Sequence, residues 1–122
     1  MNRDEAVAFA EDWAAAWNAR DVERVLAHFR EDCTFTSPTA LAVIGAATVH
    51  GKAALRAYWR KALERIQSLH FAIDRVMWDA TARELAIIYV SQINGRHKRI
   101  SENLLLGADG LVASAEVFHG VE

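Results

Sequence analysis

The sequence predicts an α+β fold in which helices cover one face of an antiparallel sheet. Apolar residues recur every three to four positions as far as residue 66, and every second position from residue 69 onward. Turn-forming residues separate the later segments at 79–81, 94–95 and 108–110. Helices followed by consecutive hairpins are typical of α+β proteins. The length of 122 residues suits a single domain, 1–122.

Three helices are predicted in the first half of the chain. Asp4 can cap a first helix that ends at about Asn18, with an aromatic ridge formed by Phe9, Trp13 and Trp17. Asp21 can cap a second helix, whose apolar stripe comprises Val22, Val25, Leu26 and Phe29. Gly51 precedes a third helix, whose apolar face comprises Leu55, Trp59, Ala62 and Ile66.

Strands are predicted between and after these helices. Residues 33–37 are rich in β-formers and end at Pro38. The small apolar residues of 39–50 are expected to form a loop with a short strand near Thr48. Four strands follow, at Leu69–Trp78, Glu84–Ile93, Lys98–Leu106 and Leu111–His119. Asn94-Gly95 favours a hairpin turn because both residues tolerate a positive φ.

Composition and charge exclude several classes of function. With 14 basic and 16 acidic residues the net charge is −2, and no basic stripe is present to bind nucleic acid. No apolar run is long enough for a signal peptide or a membrane span, so we expect a cytoplasmic protein with no membrane partner. Cys33 is the only cysteine, and the five histidines form no metal-binding pair. Phosphate-binding glycine loops and Gly-x-Ser-x-Gly elbows are absent too, so neither a metal nor a cofactor is expected.

The alternation of the late strands places polar groups on the apolar inner face. Glu102 shares a face with Ile100, Leu104 and Leu106. Burial there raises the pKa of a carboxyl group and suits it to acid–base chemistry. His119 ends a row that comprises Ala113, Ala115 and Val117. Tyr89 adds a hydroxyl to a row that comprises Leu85, Ile87 and Ser91.

Each of these residues also has a purely structural interpretation. Glu102 could pair with Arg75, because regular alternation of the strand at 69–78 turns Arg75 inward. His119 could be exposed near the end of its strand, and Tyr89, Trp13 and Trp59 could be core residues. The position of Arg75 separates the two interpretations, since an inward arginine would make Glu102 an ionised structural group.

Several segments resemble one known family. Residues 13–21 (WAAAWNARD), 26–29 (LAHF), 32–38 (DCTFTSP), 50–59 (HGKAALRAYW) and 106–112 (LGADGLV) are similar to SnoaL-like and ketosteroid-isomerase-like proteins of the nuclear transport factor 2-like superfamily. The resemblance spans nearly the whole chain. It implies a cone-shaped α+β barrel with an interior cavity, and a homodimer that packs through the sheet.

The resemblance also assigns site positions residue by residue. Glu102 falls on the oxyanion-hole aspartate of the isomerases, Trp13 on their tyrosine, and Ser37 on their general-base aspartate. A serine hydroxyl without assistance is not a base near neutral pH, which argues against steroid isomerisation. Glu102 and His119 are the predicted catalytic residues. The predicted pocket-lining residues are Trp13, Trp17, Phe35, Ser37, Tyr58, Trp59, Ile87, Tyr89, Ala115 and Val117.

Two functions are consistent with these features. The first is an isomerase, lyase or cyclase that acts by acid–base chemistry on a small, apolar, oxygenated molecule. In that case Glu102 is the acid, and His119 or Tyr89 is its partner. The second is a non-catalytic module that binds a ligand or dimerises.

Overall fold

The computed structural model describes residues 1–122 and contains four helices and six strands. The helices are α1 (Arg3–Asn18), α2 (Val22–Leu26), α3 (Pro38–Ile44) and α4 (Lys52–Glu64). The strands are β1 (Phe29–Thr36), β2 (Thr48–His50), β3 (Leu69–Asp79), β4 (Glu84–Ile93), β5 (Arg96–Leu106) and β6 (Val112–His119). The α+β class predicted from the sequence is confirmed. None of the four helices is long and apolar enough to cross a membrane.

The six strands form one open sheet in the order β2-β1-β6-β5-β4-β3. The strands are antiparallel as predicted except at one pair, since β1 runs parallel to β6. Only neighbours joined by a tight turn must run in opposite directions, and β1 is separated from β6 by most of the chain. The two edge strands, β2 and β3, do not pair with each other, so the cone is not a closed barrel.

The first two helices begin at side-chain caps. Asn2, rather than the predicted Asp4, caps α1, and its side chain accepts a hydrogen bond from the Glu5 amide at 2.8 Å. The Glu5 side chain accepts from the Asn2 amide at 2.9 Å, which completes a capping box. Asp21 caps α2 as predicted. The second helix is shorter than predicted, since Phe29 already belongs to β1.

The segment predicted as a loop contains the additional helix α3, so the prediction of three helices is corrected to four. The Ser37 hydroxyl caps α3 by accepting from the Thr39 amide at 3.1 Å, and Pro38 occupies the first turn. Gly45 ends the helix in the left-handed region at φ 75°. The short strand expected near Thr48 is present as β2.

The sheet has one covered face and one uncovered face. A cluster of 28 buried residues fills the space between the helices and the inner face. The predicted hairpin turn at Asn94-Gly95 is present, with φ of 52° and 80°. Asn94 also accepts hydrogen bonds from the amides of Gln67 and Ser68, and so fixes the connection that leads from α4 into β3. This connection and the inner face of the sheet border the site.

Candidate functional site

An apolar cavity lies between α4 and the inner face of β3 to β6. Its volume is about 100 Å³, and 13 of its 18 lining residues are hydrophobic. Trp59 forms one wall, since it packs edge-to-face against Trp17, Phe29 and Phe35 at centroid distances of 4.9–5.4 Å. Edge-to-face aromatic pairs are stabilising, so these contacts hold the Trp59 ring in place at the wall. The ionisable side chains that line it are Tyr58, Tyr89, Glu102 and His119.

Glu102 is the buried acid of this cavity. It pairs with Ile87 on β4 and Val117 on β6, so its side chain stands on the inner face with apolar neighbours. Its exposed fraction is 6%. Burial raises the pKa of Glu102 to about 7, although a hydrogen bond from Tyr89 partly opposes the rise. At neutral pH the carboxyl group can therefore either donate or accept a proton.

Arg75 does not reach this carboxyl group. A β-bulge lies between Ile73 and Arg75, so Ile73 pairs with Tyr89 while Arg75 pairs with Ile88. The extra residue, Asp74, turns Arg75 to the outer face, where it is exposed. The regular alternation predicted for this strand is wrong from this point onward. The structural interpretation of Glu102 as the partner of Arg75 is therefore excluded.

Two tyrosines stand beside Glu102. The Tyr89 hydroxyl donates a hydrogen bond to Glu102 Oε1 at 3.0 Å. Burial raises the pKa of Tyr89 well above its usual value, and the nearby Glu102 carboxylate raises it further. Burial also raises the pKa of Tyr58 to about 12, with the Ser37 hydroxyl opposing the rise. Both phenols thus stay protonated at neutral pH and can donate hydrogen bonds.

His119 stands at the outer end of the same cavity. It is half-buried and pairs with Ile100 on β5. Its Nδ1 lies 3.5 Å from the Lys98 Nζ. Burial lowers the pKa of His119 below its usual value of 6.5, and the Lys98 charge lowers it further. The imidazole is therefore neutral at pH 7 and can accept a proton.

Comparison with known proteins agrees with this architecture. The family model described as a SnoaL-like domain matches residues 10–103, which is most of the chain. The chain belongs to the SnoaL-like domain family. This finding confirms the resemblance noted in the sequence, including its place among the nuclear transport factor 2-like folds.

Solved structures show how widely this fold is shared. A SnoaL-like protein of unknown function from Burkholderia thailandensis is 27% identical, with a TM-score of 0.89 over 99% of this chain and 98% of that chain. A candidate ketosteroid isomerase from Kribbella flavida is 18% identical, with a TM-score of 0.77 over 98% and 80%. TerC, co-crystallised with polyporic acid, is 12% identical, with a TM-score of 0.79 over 94% and 91%. None of the curated proteins matches the chain.

The structure brings together most of the residues predicted for the site of this SnoaL-like domain. Those that line the cavity are Trp17, Phe35, Ser37, Tyr58, Trp59, Tyr89, Glu102, Val117 and His119. Trp13, Ile87 and Ala115 lie outside its lining, in the core behind it. Trp13 packs against Phe71 and Tyr89 at centroid distances of 5.6 and 5.0 Å, so it supports the Tyr89 ring from the side of α1.

A second bulge changes the predicted face of β6. Leu105 pairs with Ser114 and Leu106 with Val112, so Ala113 is the extra residue of an irregular pair. Val112 is fully buried whereas Ala113 is only partly buried. The inner row therefore comprises Val112, Ala115, Val117 and His119, rather than the regular row predicted from Ala113. The bulge lies on the far side of Ala115 from His119 and leaves the position of His119 unchanged.

Sequence reasoning missed several residues of the lining. Ser91 is buried and contributes a hydroxyl, and Thr39 lies at the start of the unpredicted helix α3. Ser91 follows Tyr89 on the inner row of β4, and this spacing was the signal that could have placed it in the cavity. Phe71 lines the cavity from β3, where it precedes the bulge.

Proposed function

We propose that this SnoaL-like domain binds a small, apolar, oxygen-containing molecule in the cavity and transforms it by acid–base chemistry, with Glu102 as the proton donor. The observation that carries the proposal is a buried carboxyl group with no cationic partner, at the wall of an apolar cavity. A structural carboxylate at this depth would need such a partner. Strongly perturbed acids in clefts are typical of functional sites.

His119 is the proposed base. Because Ile100 pairs with His119 and Glu102 with Val117, the two side chains lie diagonally across adjacent strands. Such positions are separated by about 7–8 Å at the backbone, which leaves space for part of a small molecule. Environments that raise the pKa of an acid and lower that of a base hold each in its reactive form. His119 would remove a proton from a carbon next to a carbonyl group, while Glu102 protonates the carbonyl oxygen.

The position of Ser37 directs the proposal away from steroid isomerisation. The Ser37 hydroxyl accepts a hydrogen bond from the Thr39 amide at 3.1 Å and thereby caps α3. Ser37 therefore has a structural role as a helix cap, and position 37 supplies no general base. The likeness to TerC, a protein of the same fold that was co-crystallised with polyporic acid, supports an organic ligand. An isomerase, lyase or cyclase reaction fits the acid–base pair that remains.

The cavity limits the size of the ligand. An apolar cavity of about 150 Å³ holds benzene in other proteins. The volume of about 100 Å³ is smaller, so a six-membered ring would fill the cavity and protrude past His119 unless the walls move. A larger ligand would extend past His119 toward solvent. This constraint favours probes with a single ring at one end.

The test is a thermal-shift screen of ring-containing ketones, enones and carboxylic acids, followed by a turnover assay on the class that binds. A ligand at about 100 times its dissociation constant stabilises the fold by roughly 2.7 kcal/mol. We expect Glu102→Gln to keep the fold and to lower turnover by about 10²–10⁴-fold. Glu11→Gln changes an exposed glutamate on α1 and serves as the matched control. Turnover that is equal in the native protein and Glu102→Gln would refute the acid role.

The alternative function is a non-catalytic module that dimerises through the outer face of the sheet. β4 carries Ala86, Ile88 and Val90 on that face, in addition to the apolar row on the inner face. A strand that is apolar on both faces is typical of a sheet that is covered on both sides. Phe118 and Leu105 extend the outer patch and are 50% and 42% exposed. A second copy of the chain is the proposed cover, and it leaves the cavity on the opposite face accessible.

A further inference from the structure

A second cavity adjoins the first at His119. This outer chamber has a volume of about 300 Å³. Its lining includes Ser91, Ile100 and His119, which also line the inner cavity. The two spaces are therefore consecutive along the inner face of the sheet, and His119 stands where they meet.

The lining changes from apolar to cationic along β5. Alternation places Arg96 and Lys98 on the same face as Ile100 and Glu102, nearer the hairpin turn. Arg65, at the end of α4, lines the chamber from the opposite side. Three cations thus face one space, while the inner cavity holds the single carboxyl group of Glu102.

The acidic side chain in the outer chamber is Glu122. Its carboxylate accepts from Arg96 Nε at 3.2 Å and from Arg96 Nη2 at 2.6 Å, and it lies 3.8 Å from Lys98 Nζ. The Arg96 side chain is 74% exposed in this pair. Exposed ion pairs contribute little to stability, so another anion can replace this one. The geometry nevertheless demonstrates that a carboxylate fits the fork of Arg96 beside Lys98.

We infer that the ligand is an amphipathic carboxylic acid, whose apolar ring enters the inner cavity while its carboxylate displaces Glu122 between Arg96 and Lys98. This inference rests on the proposed function and adds the substrate class. Lys98 and Glu102 are four residues apart on one strand, which corresponds to about 13 Å. The ligand would thus place its acidic group at the chamber and its reactive oxygen near Glu102, with an apolar segment between them.

The test compares an acid with its neutral analogue of equal shape. 4-Phenylbenzoate and 4-phenylbenzamide are titrated into the ¹⁵N-labelled protein at low salt. The amide shifts of Tyr89 and Val117, which line the inner cavity but not the outer chamber, report occupancy of the cavity. We expect the acid to bind at least about tenfold more tightly, because hydrogen bonds between charged groups are stronger than neutral ones. The preference should decrease as salt is added, since the chamber is open to solvent.

Variants locate the anion. Lys98→Met and Arg96→Gln should each remove most of the preference for the acid without changing the affinity of the amide. Lys61→Met on α4 and Arg75→Gln on the outer face are the matched controls, because both side chains are exposed away from the chamber. Glu122→Gln should strengthen binding of the acid, since it removes the competing carboxylate.

Each other outcome has a definite consequence. Equal binding of acid and amide at the cavity would overturn the inference and leave the proposed function intact. A preference for the acid that persists in both the Lys98 and Arg96 variants would place the anion elsewhere and also overturn it. Absence of cavity shifts with either compound would contradict the proposed pocket itself, and the inference would fail with it.

Discussion

Glu102→Gln should change the pH dependence of stability, because burial disfavours only the ionised form of the native side chain. The folded-state pKa of Glu102 is about 7, against an ordinary value of 4.5. Well below pH 4.5 the group is protonated in both the folded and the unfolded chain, and stability does not depend on its titration. As the pH rises from 4.5 to 7, the unfolded chain releases the proton first, so the folded state loses stability over this range.

The magnitude follows from the two pKa values. Their separation corresponds to about 3 kcal/mol, nearly all of which is lost by pH 7. Glutamine has the shape of the protonated acid and can still accept the hydrogen bond from Tyr89, but it does not titrate. Glu102→Gln should therefore gain stability relative to the native chain as the pH rises. The difference in free energy of unfolding between the variant and the native chain should be about 3 kcal/mol larger at pH 7.5 than at pH 4.5. For a domain of this size the difference is roughly 10 °C in Tm.

The assay is urea unfolding of both proteins at half-unit intervals between pH 4.5 and 8. Subtraction of the two curves removes the contributions of all other titrating groups, and Glu11→Gln controls for the loss of one glutamate charge. A difference that stays flat across this range would show that Glu102 ionises freely in the folded state, and the acid role would have no physical basis. A variant that becomes less stable at high pH would show that the carboxylate has a cationic partner.

The neighbours of Glu102 and the outer face of the sheet allow three more tests. Tyr89→Phe removes a hydrogen bond that lowers the pKa of Glu102. This variant should lower the free energy of unfolding by about 1 kcal/mol and move the titration of the Glu102 carboxyl group, measured by ¹³C NMR, to higher pH. An unchanged titration midpoint would show that the hydrogen bond does not affect Glu102. Turnover should increase with pH as His119 loses its proton below 6.5, and it should decrease near pH 7 as Glu102 ionises. His119→Asn should lose the increase at low pH. A pH–turnover profile of this variant like that of the native protein would exclude His119 as the base. If the proposed dimer forms through the outer face, Phe118→Glu should convert it into a monomer in sedimentation experiments, whereas Leu41→Glu, which alters an exposed leucine on α3, should not.

Local rules predicted those parts of the fold where the strands are regular. β4 matches its predicted bounds, and β5 alternates without interruption from Arg96 to Leu105, so the inner position of Glu102 could be read from the sequence. Regular alternation gave the wrong face for Arg75, because a single extra residue in β3 turns every later side chain of that strand to the opposite face of the sheet. The apolar residues of β3 shift from odd positions (69, 71 and 73) to even ones (76 and 78) around Asp74, but the apolar Met77 is equally consistent with regular alternation.

Other errors have different physical causes. Ser37-Pro38 and Gly45 are a start signal and a stop signal for α3, but the residues between them are small and apolar, so they show no amphipathic period. The parallel pairing of β1 with β6 depends on contacts between distant segments. No turn joins the two strands, and turn chemistry is the feature of a sequence that reveals strand direction.

The buried position of Glu102 lowers the stability of the fold. Its partners across the ladder, Ile87 and Val117, are apolar, and an apolar residue of similar volume at 102 would fill the same space without a desolvation cost. A cost of about 3 kcal/mol at neutral pH is a large fraction of the 5–15 kcal/mol that stabilises a typical domain. Tyr89 does not remove this cost, since one hydrogen bond from a phenol replaces only part of the water that a carboxylate loses. Residues that reduce stability in this way are expected where binding or chemistry requires them. The cavity beside Glu102 is the place in this molecule where such a requirement can arise.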